Sequence, residues 1–486
     1  MFLRTASFLY VLSESLMHPA LREHTYMYSR NLLYVLSESL MILGGFMVHS
    51  DSSPQAIRRS FAGYVSQNIL GMIGISAYVL ADTFFISLAE GADGITALNL
   101  VLPLYSLIFA IGSMIAVGSA TRFAISRARG DSDSDSYLFN ALFFALVLGL
   151  LFTAAGILIP DRLIALLGGD PEIVRIGTPY TRLFLLFGPI FMWNYILNAF
   201  VRNDKNPSLA MAATLSSSMF NIVMDYVLMF PLDMGMSGAA LATAISPLVG
   251  ILVCSLHFLS RKNTLRLRAA RPSVRKLLRS CQLGVPAFVG EISSGVTTTI
   301  FNFLILGLAG NVGVAAYGVV ANNAMVATSI FNGIAQGSQP LLSRFHGRRE
   351  HHALRQVLRL SLITTLCAAL LVVLITNIAT EPIVAMFNGE GNQEMAAYAD
   401  TGVRLYFTGY LFAGFNIVGT GFLSATEAAN WAFAASILRG FIAISVCAFV
   451  MAALFGMTGI WLAFPAAELI TACMTALGIR RTVSRN

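Results

Sequence analysis

Long apolar runs broken by short charged stretches dominate the chain from Tyr64 onward. Twelve of them, at about 64 to 88, 98 to 117, 137 to 159, 177 to 200, 209 to 230, 238 to 259, 283 to 308, 314 to 342, 358 to 378, 403 to 423, 431 to 455 and 459 to 479, are roughly 20 to 29 residues long. A helix of that length crosses a ~30 Å hydrocarbon core. An isolated strand cannot satisfy its backbone in lipid, so the pattern predicts an all-α integral membrane protein with twelve transmembrane helices. The first 55 residues do not fit it. Leu-Tyr-Val-Leu-Ser-Glu-Ser-Leu-Met occurs at Leu9 to Met17 and again, unchanged, at Leu33 to Met41, and Glu14 and Glu38 interrupt both copies. Neither copy reads as a signal peptide or a span. Residues 1 to 55 are therefore expected to be an extension outside the fold, disordered or an over-long translation start with Met47 as an alternative.

The charges between the runs orient them. Loops after even-numbered spans, with the C-terminus, hold 21 Lys and Arg, eight of them between residues 261 and 279; loops after odd-numbered spans hold two, Arg162 and Arg175. The positive-inside rule then places both termini in the cytoplasm. The chain also resembles itself at an offset of about 219 to 222 residues. Asp82 falls on Asn302, Ile115-Ala-Val-Gly-Ser119 on Ile334-Ala-Gln-Gly-Ser338, Asn194 on Asn416, and Gly235-Met-Ser-Gly-Ala-Ala-Leu-Ala242 on Gly456-Met-Thr-Gly-Ile-Trp-Leu-Ala463. Six spans per copy, an even number, gives both copies one orientation and a pseudo-twofold along the membrane normal. The expected organisation is a first lobe at 56 to 260, a basic linker at 261 to 280 and a second lobe at 281 to 486.

Composition agrees: 56% hydrophobic residues, 11% charged and a mean hydropathy of +0.73 belong to a polytopic membrane protein. The net charge of +7 is scattered between apolar runs with no aromatic-interleaved stripe, which excludes nucleic acid as a partner. Cys254, Cys281, Cys367, Cys447 and Cys473 lie in or at the ends of apolar runs without CxxC spacing, and are expected to be buried free thiols. His346, His351 and His352 read as part of a solvated basic loop. There is no P-loop, no HExxH and no GxSxG, which excludes ATP-driven transport by this chain and argues against an enzyme.

Chemistry concentrates on a few polar residues inside the spans. Of 24 acidic residues only Asp82, Asp225, Glu291 and Glu468 fall well within them. A carboxylate at that depth costs ~2.5–3.5 kcal/mol on insertion scales and needs a partner, a proton or an ion. Asn221 and Asp225 share a helix face at i, i+4, and counting rise per residue brings Asp82 and Thr243 to the same depth in the first bundle. Two carboxylates with an amide and a hydroxyl can share a proton or offer oxygens to a sodium ion, so Asp82, Asp225 and Asn221 form a candidate sodium site. Glu291, beside Ser293 and Ser294, is a second candidate for coupling or for contact with a cationic substrate. Asn194 and Asn198, i, i+4 on the fourth span, and Asn302 are candidate cavity residues. Glu468 is expected to pair with Arg439, and Arg182 and Arg404 to snorkel or pair with loop acids.

Several of these stretches resemble one family. Leu80-Ala-Asp82-Thr83-Phe-Phe-Ile, Ala97-Leu-Asn99-Leu, Val201-Arg202-Asn-Asp, Asn221-Ile-Val-Met-Asp225 followed by Gly238-Ala-Ala-Leu-Ala-Thr243, and Leu283-Gly-Val-Pro286 ahead of Glu291 look like the multidrug and toxic compound extrusion (MATE) family. Gly333-Ile-Ala-Gln-Gly-Ser-Gln-Pro340 looks most like its MepA-like branch, and the likeness covers about residues 56 to 480. It implies a V-shaped pair of six-helix lobes, monomeric in the inner membrane among lipids. Such a protein exports small organic cations in exchange for protons or sodium, with no cofactor beyond the coupling ion. It also implies a first-lobe cation site at Asp82, Asp225, Asn221 and Thr243, with Glu291 serving the second lobe. Two positions depart from the family: Ser66-Gln67-Asn68 stands where many members have a proline, and residues 403 to 423 lack the aspartate of some sodium-coupled members. The alternative function is a flippase or exporter of a lipid-linked or other specific metabolite. That would be expected to carry extra spans and a cationic cavity.

Overall fold

Runs of Leu, Ile, Val, Phe and Ala offer the backbone no partner but itself, and the chain accordingly folds as helices. The computed structural model describes residues 53–168, 171–267, 271–387 and 392–485, and there is no strand among them. The extension expected at 1 to 55, with Met47, lies outside the described residues up to residue 52, as do loop charges such as Asp170, Arg268 and Glu390. In chain order the helices are α1 (Pro54–Arg129), α2 (Ser136–Leu158), α3 (Pro160–Leu166), α4 (Pro171–Leu186), α5 (Gly188–Asn203), α6 (Pro207–Met229) and α7 (Gly235–Ser255). They continue as α8 (Val274–Gly347), α9 (His351–Ile378), α10 (Thr380–Phe387), α11 (Gln393–Tyr406), α12 (Tyr410–Ala425), α13 (Ala429–Ile437) and, after a π-helical turn at Leu438–Ala443, α14 (Ile444–Arg485). α1 begins slightly inside the stretch assigned to the extension, because Ser53 Oγ caps it by accepting from Ala56 N at 3.4 Å, with Pro54 in the first turn.

Among the described residues, seven helical stretches are long and apolar enough to cross a membrane, or eight if the bent pair α4 and α5 is one span. That is fewer than the sequence pattern predicts, partly because α8 counts once at 74 residues, ~110 Å of helix at 1.5 Å per residue. Gly310 interrupts α8 at φ 59°, and Gly456 interrupts α14 at φ 56°. An L side chain adopts neither conformation cheaply. Past Gly456 the chain folds back so closely that a Cβ on Gly459 would lie 1.8 Å from the Met451 carbonyl oxygen. Gly235, aligned with Gly456 in the repeat, also has a positive φ of 48°. The motif repeated in sequence is thus a turn repeated in conformation.

The fourth span, expected as one helix, is bent by 48° between α4 and α5. Pro189 at the start of α5 lacks an N–H, and its ring crowds the carbonyl four residues back. The tenth is broken by a 3₁₀ turn at Phe407–Gly409.

Helices α1 and α8 make the most extensive contact in the protein. Where they cross, Cβ atoms on Gly118 and Gly284 would lie 2.1 Å from the Ser280 and 2.0 Å from the Met114 carbonyl oxygens. The segment joining α7 to α8 is pinned at both ends to the helices before it. Asp204 accepts from Thr264 N at 2.6 Å and Leu265 N at 3.2 Å, and lies 2.8 Å from His257 Nε2. Asn140 exchanges two hydrogen bonds with the Ser273 backbone at 2.8 and 3.0 Å, and Lys276 pairs with Asp133.

Leu150, Leu151, Leu370, Leu371 and Leu374 on α2 and α9 are exposed, forming an apolar outer surface suited to lipid. Two expectations need correction here. Only Cys254 and Cys447 are buried; Cys281 is half-buried, and Cys367 and Cys473 are exposed, because an apolar run turns one face to lipid. His346 is not in a solvated loop but partly buried on α8, 3.4 Å from Glu427.

Candidate functional site

Asn221 and Asp225 sit one turn apart on α6, which is not among the stretches apolar enough to span unaided. Ser216, Ser217 and Ser218 dilute its apolar character just before them. Both side chains are buried to 0% exposure, and Asp82 on α1 to 8%. Asn221 Nδ2 donates to Thr243 Oγ1 on α7 at 3.2 Å. Among the described residues, Asn221 Oδ1, both Asp225 carboxylate oxygens and Asp82 Oδ1 have no hydrogen-bond partner, and Asp82 lies within electrostatic reach of Asp225. Four buried acceptor oxygens with no donor form an electronegative pocket that a proton or a cation would neutralise.

The sequence residues Asp82, Asn221, Asp225 and Thr243 are thus brought to one place by α1, α6 and α7. Glu291 is partly buried on α8. Tyr78 on α1 lies within electrostatic reach of Glu291 as well as of Asp82 and Asp225. The Glu291 neighbour Ser293 bonds its own helix, donating to the Gly290 carbonyl at 3.3 Å, and Ser294 is exposed. Asn198 Nδ2 is occupied by the neighbouring helix, donating to Ala210 O and Thr214 Oγ1, both at 2.9 Å. Asn194 packs on Gly250 of α7, and Asn302 is half-buried on α8. Glu468 does pair with Arg439, at 2.8 Å, and Arg404 pairs with Asp400 at 3.1 Å.

Sequence reading missed the tyrosines around the pocket. Tyr180 Oη lies 3.4 Å from Tyr105 Oη, and Asp82 acts on both. Tyr105 stacks on Phe184 with ring centroids 3.6 Å apart, and Phe191 and Phe109 close the cluster. These residues come from α1, α4 and α5, so no local spacing announces them. No group of three or more His, Cys, Asp and Glu able to hold a metal ion occurs among the described residues. The mixed donor set of carboxylates, amide and hydroxyl is all oxygen, the kind that hard cations take.

A bundle of apolar helices enclosing unpaired carboxylates is the build of a polytopic membrane protein, and the class of membrane transporters is where such carboxylates are expected. The MatE family model matches the chain twice, over residues 68–227 and 286–449, once in each copy of the repeat. The chain belongs to the MatE family. It is 28% identical over 425 residues to the multidrug export protein MepA of Staphylococcus saprophyticus, covering 86% of this chain and 93% of that one, and 27% identical over 418 residues to MepA of Staphylococcus aureus, covering 84% and 90%. Its fold matches the outward-facing conformation of a multidrug resistance MATE family transporter of the MOP superfamily (TM-score 0.83, 20% identity, 88% of this chain and 97% of that one). It also matches a MOP superfamily transporter from Pyrococcus furiosus (TM-score 0.81, 20% identity, 88% and 96%).

Proposed function

We propose that this protein exports small organic cations by antiport against protons or sodium, from an inner membrane with both termini in the cytoplasm. The observation that carries the reading is the pocket of unpartnered carboxylate oxygens at Asp82 and Asp225. In this reading α4 with α5, and α11 with α12, each form one bent span, while Gly310 and Gly456 each separate two. Residues 87–100 separate two more, so α1 to α14 make twelve spans in two lobes joined at 261 to 280. The multidrug export relatives support the substrate class. Asp82 and Asp225 take up the coupling ion, with Asn221 and Thr243 completing its oxygen shell and Glu291 acting from α8. Ion binding favours one facing of the lobes, and drug binding with ion release favours the other.

The lobes meet where Arg122 and Arg129 of α1 bind Glu427, between α12 and α13. Gln339 of α8 donates to Thr121 Oγ1 at 2.5 Å beside them. We infer that this face is cytoplasmic and closed. Ser66-Gln67-Asn68 takes a different role from a proline hinge: Asn68 Oδ1 accepts from the buried Arg202 at 3.0 Å, fixing this part of α1 to α5.

The test is ethidium efflux from proteoliposomes under a proton gradient and a sodium gradient applied separately, on wild type and Asp225→Asn. Efflux driven by either gradient and lost in the variant supports the reading and identifies the ion. Normal efflux by Asp225→Asn removes the coupling role, and no movement of dye by folded wild type removes multidrug export in favour of lipid-linked substrates.

A further inference from the structure

The two copies of the repeat treat their buried carboxylates in opposite ways. In the first, Asp82 and Asp225 present oxygens with no donor. In the second, Glu468 on α14 is equally buried, at 3% exposure, yet both its oxygens are engaged. Arg439 Nε donates to Oε1 at 2.8 Å and Asn416 Nδ2 to Oε2 at 2.7 Å, while Asn416 Nδ2 also reaches the Glu468 backbone carbonyl at 2.8 Å. Asn416 is the repeat partner of Asn194. Asn194 packs from α5 onto Gly250 of α7, as Asn416 packs from α12 onto α14, so corresponding helices meet in both copies. The carboxylate itself belongs to the second copy: at the offset that aligns Gly235 with Gly456, Pro247 stands where Glu468 does.

Arg439 lies in the π-helical turn Leu438–Ala443. Such a turn widens the helix and moves its side chains out of the α-helical phase, and π turns recur at functional positions. Here it also brings Gly440 against Ser293 and Val289 of α8. The Arg439 side chain is only 24% exposed, so its planar, permanently charged group is committed to Glu468. Tyr406 on α11 and Tyr410 on α12 are the titratable residues whose surroundings include this pair.

We propose that Arg439 is a tethered substitute for the exchanged cation: it permanently occupies Glu468 and leaves ion exchange to Asp82, Asp225 and Glu291. This rests on the coupling role proposed for Asp82 and Asp225, and assigns Arg439 as the residue that limits the number of ions coupled to each export event. Removing the guanidinium leaves a buried carboxylate that must acquire a proton or an ion.

The experiment counts protons taken up per chain by detergent-solubilised full-length protein between pH 9 and pH 5, in buffer free of sodium and other small metal cations so that only a proton can neutralise a freed carboxylate. Wild type and the neutral pair Arg439→Gln/Glu468→Gln are expected to take up equal numbers, and Arg439→Gln alone one more. An excess of one proton in wild type over the neutral pair overturns the proposal, because Glu468 would then titrate despite Arg439; no gain in a folded Arg439→Gln also overturns it. If Arg439→Gln does not fold, the comparison of wild type with the neutral pair decides alone. Asp225→Asn in the same assay reports on the first-repeat reading, so the two failures are distinguishable.

Discussion

Replacing Glu427 by Gln should loosen the contact between the two halves of the chain on the face we assign to the cytoplasm. Glu427 lies in the turn after α12 with a left-handed φ of 59°, its side chain 22% exposed. It accepts from Arg122 and Arg129 and lies 3.4 Å from His346. The hydrogen bond from His346, aided by the charges of Arg129 and Arg122, holds its carboxyl down at about 2 against an ordinary 4.5. A depression of that size corresponds to ~3 kcal/mol. His346 lies in the same half as Glu427, so only the share of Arg129 and Arg122 crosses the contact, and solvent screening of a partly exposed cluster reduces it to ~1 kcal/mol. The sign is that of a lowered acid: the stabilisation is complete above pH 4.5 and is lost as pH falls through about 2. Loss of ~1 kcal/mol shifts a two-state equilibrium ~5-fold.

Spin labels on Asp131→Cys and His352→Cys, in a background without native cysteines, would report the separation of the halves by pulsed dipolar spectroscopy. Glu427→Gln should enrich the longer distance by that factor, and 1 M salt should move wild type the same way. Between pH 5 and 8, Glu427 should contribute no change. A distance distribution unaltered by the substitution would refute the reasoning.

Three further outcomes follow from the geometry. Asp225→Asn should lower gradient-driven ethidium efflux at least ~10-fold, ~1.4 kcal/mol or more, while circular dichroism and elution volume stay those of wild type. Gly284→Ala places a Cβ 2.0 Å from the Met114 carbonyl and should cost ~1–3 kcal/mol through forced separation of α1 and α8, read as a lower melting temperature in detergent. Asn68→Ala leaves the buried Arg202 guanidinium without the acceptor 3.0 Å away; a loss of ~1–3 kcal/mol is expected, with Asn68→Asp restoring most of it.

The helices were legible in the sequence because lipid allows a long apolar run only one way to satisfy its backbone. The candidate residues Asn221, Asp225 and Thr243 stood out for a related reason, since a polar group in such a run is conspicuous and its helical face follows from spacing. The bend at Phe187 was not anticipated, although Pro189 marks the place. Prolines are too common in membrane helices for one to identify a break. Tyr78, Tyr105 and Tyr180 were missed because their convergence is a property of packing between distant segments. The lipid exposure of Cys367 and Cys473 was missed because hydropathy reports the medium a residue tolerates, and a lipid-facing and a core-facing side chain tolerate the same one.

The pinned segment between α7 and α8 changes the mechanics of the molecule. Asp204 grips Thr264 and Leu265, and Asn140 grips Ser273, so both ends of this segment are stitched to the first half. Any rocking of one half against the other must pivot where the stitching stops, at the first turns of α8, ten residues short of the Gly118 and Gly284 crossing. That crossing then acts as a fulcrum close to the pivot, with the rest of α8 as the long arm of a lever. A displacement of a fraction of an ångström at Gly284 becomes several times larger near Gly310. Residues near this fulcrum should therefore govern the rate of the cycle more strongly than residues at the far end of the arm.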